Sequence, residues 1–446
     1  MFRFFFTVYS QVVIAYWLLL NNFYIGFRTY FRRIYLINLN NIPKSKAVIL
    51  APNHGSAFID GVLLSVLLRR NVFFYVRGDV FKNKYANAVL RSLRLLPIYR
   101  VQDIDSRNNQ SNFNKKTLEE STEILKRKGT LVIFAEGNCV SERRLRPLKN
   151  GVIRQCFEII EKHPEIDLDV VPVGINYSKP GTFRQEVCIN FGLPISIKKI
   201  ENLIKFKKHT EVIAEFNNEL YNAIEKEMVI IKNPSNDILA EQYLTMARNH
   251  YKPSFFGFFK KNKKRFIAEK RAANDLNNLS ENDPEKFELF RKNVSDYFFK
   301  LKMYKLDDKF FSLNVAEKIF YVFFTILFAV PSVVGFLMNY PRVFITNYIT
   351  QTKVKKIEFV DSVMIATGVF SGIIYFLILF LILLPFFGFK ALYVVIFIRL
   401  LGFLYWFWKE TANIMIDILK INFTAWGKSM KSTMKSQRKF ILNFFG

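Results

Sequence analysis

Cysteine and histidine are scarce in this chain: its 446 residues hold three of the first and four of the second. Cys139, Cys156 and Cys188 are odd in number and form no C-x-x-C pair. That argues against a disulfide framework or a zinc site and fits a reducing compartment. There is no glycine-rich phosphate loop, no set of paired metal ligands and no Gly-x-Ser-x-Gly elbow, so no metal is expected. The apolar amino terminus has no strong basic n-region and no A-x-A cleavage site, and is not read as a signal peptide. Acidic side chains are the minority, 37 against 65 lysines and arginines, for a net charge of +28. Anionic partners are therefore expected: a lipid surface, phosphorylated metabolites or an acidic carrier protein. Nucleic acid is not expected, because no recognition motif accompanies the charge.

What the chain has in plenty is apolar surface. Hydrophobic residues make up 51% and aromatics 16%, with 49 phenylalanines, which points to a membrane rather than an ordinary soluble protein. The length allows two or three domains with real cores. Residues 1–34 form an aromatic-rich stretch followed by Arg28, Arg32 and Arg33. It suits a helix in the membrane interface, or else a packing helix of the first domain. Residues 201–316 are polar, basic and helical in period. Within them the run Phe255–Phe266 mixes aromatics with Lys260, Lys261, Lys263, Lys264 and Arg265, either a solvated face or a membrane-surface contact.

Residues 317–410 read as membrane-embedded helices and 411–446 as a basic tail. Ile319–Tyr340 and Val363–Phe389 each run without a charge and are long enough to cross a bilayer, which takes about 20 apolar residues. Ala391–Trp408 is a third candidate, with Arg399 costly in its middle. If both clear segments cross fully, the basic loop with Arg342, Lys353, Lys355 and Lys356 lies opposite the basic N-terminal domain, against the positive-inside rule. Pro331 and Pro385 leave room for bent or re-entrant segments, and the crossing number stays open.

Residues 35–200 alternate short apolar strands with helical stretches, which predicts an α/β domain with a buried, largely parallel or mixed sheet. The expected strands are at 47–53, Val72–Gly78, Leu96–Val101, Thr130–Gly137, Leu168–Ser178 and Glu186–Ile197. Helices are expected at Gly61–Leu68, Lys82–Arg94, Thr117–Lys128 and Gly151–Lys162. Four stretches lie near predicted strand ends, where ligand sites of α/β sheets assemble. They are "NHGSAFID" (Asn53–Asp60), "LPIYR" (Leu96–Arg100), "FAEGNCVSERRLRPLKNG" (Phe134–Gly151) and "VVPVGINY" (Val170–Tyr177). His54 and Asp60 form either a base with its orienting carboxylate or a packed imidazole beside a helix cap. The arginines and lysines offer an anion clamp. Cys139 is read as a small packed residue.

The four stretches resemble, in order and spacing, the four blocks of the glycerophospholipid acyltransferase family, over roughly Arg28 to Ile197. The resemblance implies that His54 is the catalytic base and Asp60 its orienting partner. It implies that Arg100 grips an acceptor phosphate, that Glu136 and Gly137 help hold the acceptor, and that Pro172 shapes an acyl-side pocket. Arg144, Arg146 and Lys149 are expected to add phosphate or carrier contacts. Two departures stand out. Five residues separate His54 from Asp60 where the family commonly has four, an insertion that a turn can absorb as a bulge, which Gly55 makes easier. Asn138 and Cys139 follow Glu136–Gly137 where Thr-Arg is usual. The implied activity is that of a membrane-bound O-acyltransferase of phospholipid biosynthesis. It would move a fatty acyl group from acyl-CoA or acyl carrier protein to a hydroxyl of glycerol-3-phosphate or lysophosphatidic acid, on the cytoplasmic side and without a further cofactor. Two alternatives stay open: an acceptor without phosphate, such as an amino- or other lyso-lipid, and a non-enzymatic membrane or transport protein with Arg399 as its clue.

Overall fold

The computed structural model describes residues 2–68, 70–99, 107–251 and 263–445. Arg100 and most of the aromatic-basic run, residues 252–262, lie outside the described residues. The chain divides into two compact units: residues 1–228 with 354–365, and residues 229–353 with 366–446.

The first unit opens with helix α1 (Phe2–Tyr30). Its described side chains Tyr16, Phe23, Phe27 and Tyr30 are buried, whereas Trp17, Leu18 and Ile25 are exposed. Behind it lies an eight-stranded sheet of β1 (Arg33–Ile37), β2 (Ala47–Pro52), β3 (Val72–Arg77), β4 (Leu95–Ile98), β5 (Thr130–Val132), β6 (Leu168–Tyr177), β7 (Glu186–Phe191) and β8 (Ile195–Ser196). The order is β1-β7-β6-β2-β5-β3-β4, with β8 also pairing β6. From β6 to β4 all neighbours are parallel, and β7 and β8 join β6 antiparallel, so the sheet is mixed. Every residue of β2 is buried, as a central parallel strand covered on both faces requires. Helices α2 (Ile59–Leu68), α3 (Lys84–Ser92), α4 (Arg107–Lys126), α5 (Gly151–Lys162), α6 (Ile197–Ile204) and α7 (His209–Glu225) complete the unit.

The expected elements are present, with shifted ends. The single strand expected over Glu186–Ile197 is two strands, because Gly192–Pro194 breaks the ladder and α6 begins at Ile197. Helix α4 begins ten residues before the expected Thr117. There the Asn114 side chain bonds both the N–H and the C=O of Tyr99 at 2.9 Å, and Thr117 bonds the carbonyl of Pro97 at 2.8 Å.

Among its described residues the second unit is helical: α8 (Asp237–His250), α9 (Lys263–Asn282), α10 (Pro284–Met303), α11 (Asp308–Ser312), α12 (Val315–Leu327), α13 (Ala329–Lys353), most of α14 (Ile357–Phe387), α15 (Ala391–Phe423) and α16 (Ala425–Leu442). The expected span Ile319–Tyr340 is not one straight helix: α12 and α13 meet at a 60° bend. Pro331 falls in the first turn of α13, where its missing N–H costs nothing, so a new helix starts there. Arg342 lies within α13 rather than in a loop. By length and composition Ile357–Phe423 is apolar enough to cross a membrane. The chain reverses within that stretch, since Phe376 packs on Val395 and Ile398. The guanidiniums of Arg342 and Arg399 lie 5.6 and 5.4 Å from the Phe376 ring centroid, a cation–π arrangement on both.

Candidate active site

Strand β2 ends at Pro52, and its next two residues turn away over the C-terminal ends of β5 and β6. Asn53 fastens that turn. Its amide donates to the Ile175 carbonyl at 3.1 Å and accepts the Ile175 N–H at 2.7 Å, continuing the β2–β6 ladder with a side chain. His54 follows. Its backbone N–H donates to Glu136 Oε1 at 2.8 Å, and its carbonyl accepts the Val140 N–H at 3.1 Å. The imidazole stacks on Phe134, with centroids 3.9 Å apart and planes 19° from parallel. The two bonds hold the His54 backbone, and the stack on Phe134 orients the ring.

His54 Nδ1 lies 2.8 Å from Asp60 Oδ2. Asp60 is fully buried in the first turn of α2, whereas the imidazole keeps 16% of its surface open. The Ser56 N–H donates to Asp60 Oδ2 at 2.9 Å, and the Tyr177 hydroxyl donates to Oδ1 at 2.5 Å. Burial, followed by the Asp60 charge, pushes the Tyr177 phenol well above its ordinary range, so it stays a donor. Among the five intervening residues Ala57 has a positive φ, +21°. The Ala57 N–H donates to Cys139 Sγ at 2.9 Å. Burial and the nearby Asp60 charge push the Cys139 thiol up to about 12, so it is a packed acceptor rather than a nucleophile.

Glu136 faces inward. Oε1 holds the His54 backbone, and Oε2 accepts from the Arg146 N–H at 3.2 Å and from its Nε at 2.8 Å. Burial raises this carboxyl, and the His54 N–H and Arg146 oppose the rise. Gly137 has a φ of +70°, a conformation that favours glycine, and this turn aims Glu136 back at the His54 loop. Arg146 also donates to the Asn138 carbonyl, Arg144 pairs with Glu142 at 2.9 Å, and Arg143 bonds the Ser178 carbonyl at 2.9 Å. Lys149 is exposed at the same turn, its N–H on the Ala135 carbonyl at 2.7 Å. Pro172 is buried within β6, where it packs against Gly192 and its carbonyl accepts the Gly192 N–H at 2.8 Å.

The structure thus brings together His54, Asp60, Glu136, Gly137 and Arg146. It adds Asn53, Phe134 and Tyr177, to which the sequence assigned no role. Asn53 and Tyr177 lie inside the quoted stretches, but nothing in their spacing reveals an amide on a strand or a hydroxyl on a carboxylate. Among the described residues no group of three His, Cys, Asp or Glu side chains is placed to hold a metal.

Residues 33–176 match the profile of the family described as Acyltransferase. The chain is 26% identical over 212 residues to an uncharacterized acyltransferase of Schizosaccharomyces pombe, covering 47% of this chain and 29% of that one. It is 27% identical over 231 residues to glycerol-3-phosphate O-acyltransferase 1 of Saccharomyces cerevisiae, covering 50% and 30%. The chain thus spans less than a third of the length of these curated relatives. The crystal structure of the 1-acyl-sn-glycerophosphate acyltransferase PlsC from Thermotoga maritima aligns at 16% identity with a TM-score of 0.32, covering 50% of this chain and 92% of that one.

Proposed function

Because residues 33–176 form a domain of the acyltransferase family, we propose that this protein is a membrane-associated O-acyltransferase of glycerolipid synthesis. It moves a fatty acyl group from a carrier thioester, acyl-CoA or acyl carrier protein, to a hydroxyl of glycerol-3-phosphate or lysophosphatidic acid. The observation that carries this reading is the 2.8 Å contact between His54 Nδ1 and a fully buried Asp60. With Nδ1 turned to the carboxylate, Nε2 is left for substrate. There it takes the hydroxyl proton as the oxygen attacks the thioester carbon. The new C–O bond forms, the C–S bond breaks, and the imidazolium returns its proton to the departing thiolate. Asp60 holds the ring and balances its transient charge. No acyl-enzyme is needed, in keeping with a Cys139 that is no nucleophile.

Arg100 and Lys149 are the cations proposed for the acceptor phosphate. Arg146 pairs with Glu136 and Arg144 with Glu142. That internal engagement favours, as a second reading, an acceptor whose head is not simple glycerol phosphate. The apolar helices and the basic surface support membrane attachment, and the catalytic domain is proposed to face the cytoplasm, where both carriers occur.

The test compares wild type with His54→Ala in purified membranes, using labelled acyl-CoA or acyl carrier protein. The acceptors are glycerol-3-phosphate, lysophosphatidic acid and a non-phosphate lyso-lipid. Transfer to a phosphate acceptor that disappears in the variant is expected. Transfer to the non-phosphate lipid alone keeps His54 as base and removes the phosphate role of Arg100. Equal activity in both proteins overturns the proposal.

A further inference from the structure

Residues 354–365, which include the head of α14, belong to the same compact unit as the acyltransferase domain. Two buried side chains explain why. Asp361 accepts from the Tyr30 hydroxyl, from the Gly181 N–H at 3.0 Å and from Gln185 Nε2 at 3.0 Å. Ser362 is fully buried, and its Oγ accepts the backbone N–H of Ile59 at 3.3 Å. Ile59 is the first residue of α2, and first-turn N–H groups have no carbonyl partner within their own helix. The hydroxyl that satisfies this donor comes from 303 residues further along the chain. It therefore works as a helix cap supplied from outside the helix.

Asp60 is the next residue after Ile59, so the cap sits one residue from the carboxylate that holds His54. A second line of contacts reaches the same carboxylate. Tyr30, bonded to Asp361, packs edge-on against Phe31 at 5.0 Å. Phe31 stacks on Tyr177 at 6.0 Å, and Tyr177 donates to Asp60 Oδ1. The head of α14 thus touches the support of Asp60 through the backbone of its helix and through its hydroxyl donor.

We propose that Ser362 and Asp361 are positioning residues for Asp60, so that the His54–Asp60 pair is held in register only while the head of the apolar helix α14 is seated on the acyltransferase domain. The inference rests on the reading of His54 as base and Asp60 as its orienter. It goes beyond that reading by making an apolar, membrane-type helix part of the catalytic support. Neither residue touches substrate; both act through Asp60.

The experiment uses the full chain in phospholipid nanodiscs and compares wild type with Ser362→Ala, Tyr30→Phe and Ser65→Ala. Ser65 is the control, a buried serine of α2 whose hydroxyl donates to the Gly61 carbonyl of its own helix. Two readouts are taken: kcat and KM for acyl transfer, and the ¹⁵N-histidine NMR resonance of the His54 Nδ1 proton, whose position reports the bond to Asp60. With only four histidines the resonance is assignable against His54→Ala. Ser362→Ala is expected to lower kcat, with KM unchanged and the resonance moved upfield. Tyr30→Phe keeps the ring stack, and is expected to move the resonance the same way even if Ser362→Ala fails to fold. An unmoved resonance in the variants that fold overturns the proposal, as does a loss of kcat no greater than that of Ser65→Ala. If wild type transfers to no acceptor, the functional reading fails, while the resonance still decides the positioning.

Discussion

At the scale of single residues, Asp60 is held by His54 Nδ1, the Ser56 N–H and the Tyr177 hydroxyl. Tyr177→Phe deletes a buried hydrogen bond to a charged oxygen while keeping the ring. Such a bond is worth about 1.5–3 kcal/mol, so urea unfolding should show a loss of that size, together with a lower kcat. Cys139 gives the opposite expectation. Its thiol is pushed up to about 12, so it stays protonated at neutral pH. Iodoacetamide at pH 7.5 should leave Cys139 unmodified by peptide mass spectrometry and activity intact; rapid alkylation there would contradict the half-buried, Asp60-facing environment. The nearness of His54 and Asp60 was legible in the sequence as one of two readings, because both stand in one short turn between a strand and a helix. Tyr177 was not, because a tyrosine at the end of an apolar strand reads as core until the carboxylate opposite it is seen.

Among elements, the loop from β2 to α2 is the most constrained. Ala57 sits at φ +21° with its N–H committed to Cys139 Sγ. A β-branched side chain is a poor fit to positive φ, and strained positions of this kind cost about 1–3 kcal/mol. Ala57→Val should therefore lower the melting temperature and kcat, whereas Ala57→Gly should preserve both. In β6, a Cβ on Gly174 would lie 2.0 Å from the Glu227 carbonyl oxygen. That neighbour is backbone and has little freedom to move. Gly174→Ala should leave little soluble folded protein when expression and thermal unfolding are compared with wild type. Strands β2 and β6 and helix α5 were legible because continuous apolar runs and helical spacing mark them directly. The early start of α4 was not: Arg107–Lys116 has no apolar stripe, and its support includes the Asn114 amide clasping the Tyr99 backbone, a tertiary contact without a sequence period.

For the whole molecule, a buried ion pair ties α16 into the second unit. Arg438 of α16 lies 2.7 Å from Asp308, which also accepts from Tyr297 at 2.7 Å and Asn249 at 2.9 Å. Breaking such a pair from one side strands the other charge and costs about 3–5 kcal/mol. Asp308→Asn should accordingly expose α16 to proteolysis near the C-terminus, as mass spectrometry of limited digests would record; an unchanged digest would show the pair to be dispensable. The apolar content of residues 317–410 was plain in the sequence, but the 60° bend between α12 and α13 was not. Proline in a first helical turn is compatible with a straight start as well as a break.

One contact sets a timetable for biosynthesis. Ile59 waits for Ser362, 303 residues downstream. At about 5–20 residues per second, a ribosome needs roughly 15–60 s to make that much chain. Throughout that interval the nascent first unit has His54 and Asp60 but not the Ser362 hydroxyl that caps the helix of Asp60. The synthesis order therefore leaves the first turn of α2 without this cap until α14 has emerged, and a chain cut short before Ser362 carries His54 and Asp60 with the Ile59 N–H uncapped by it.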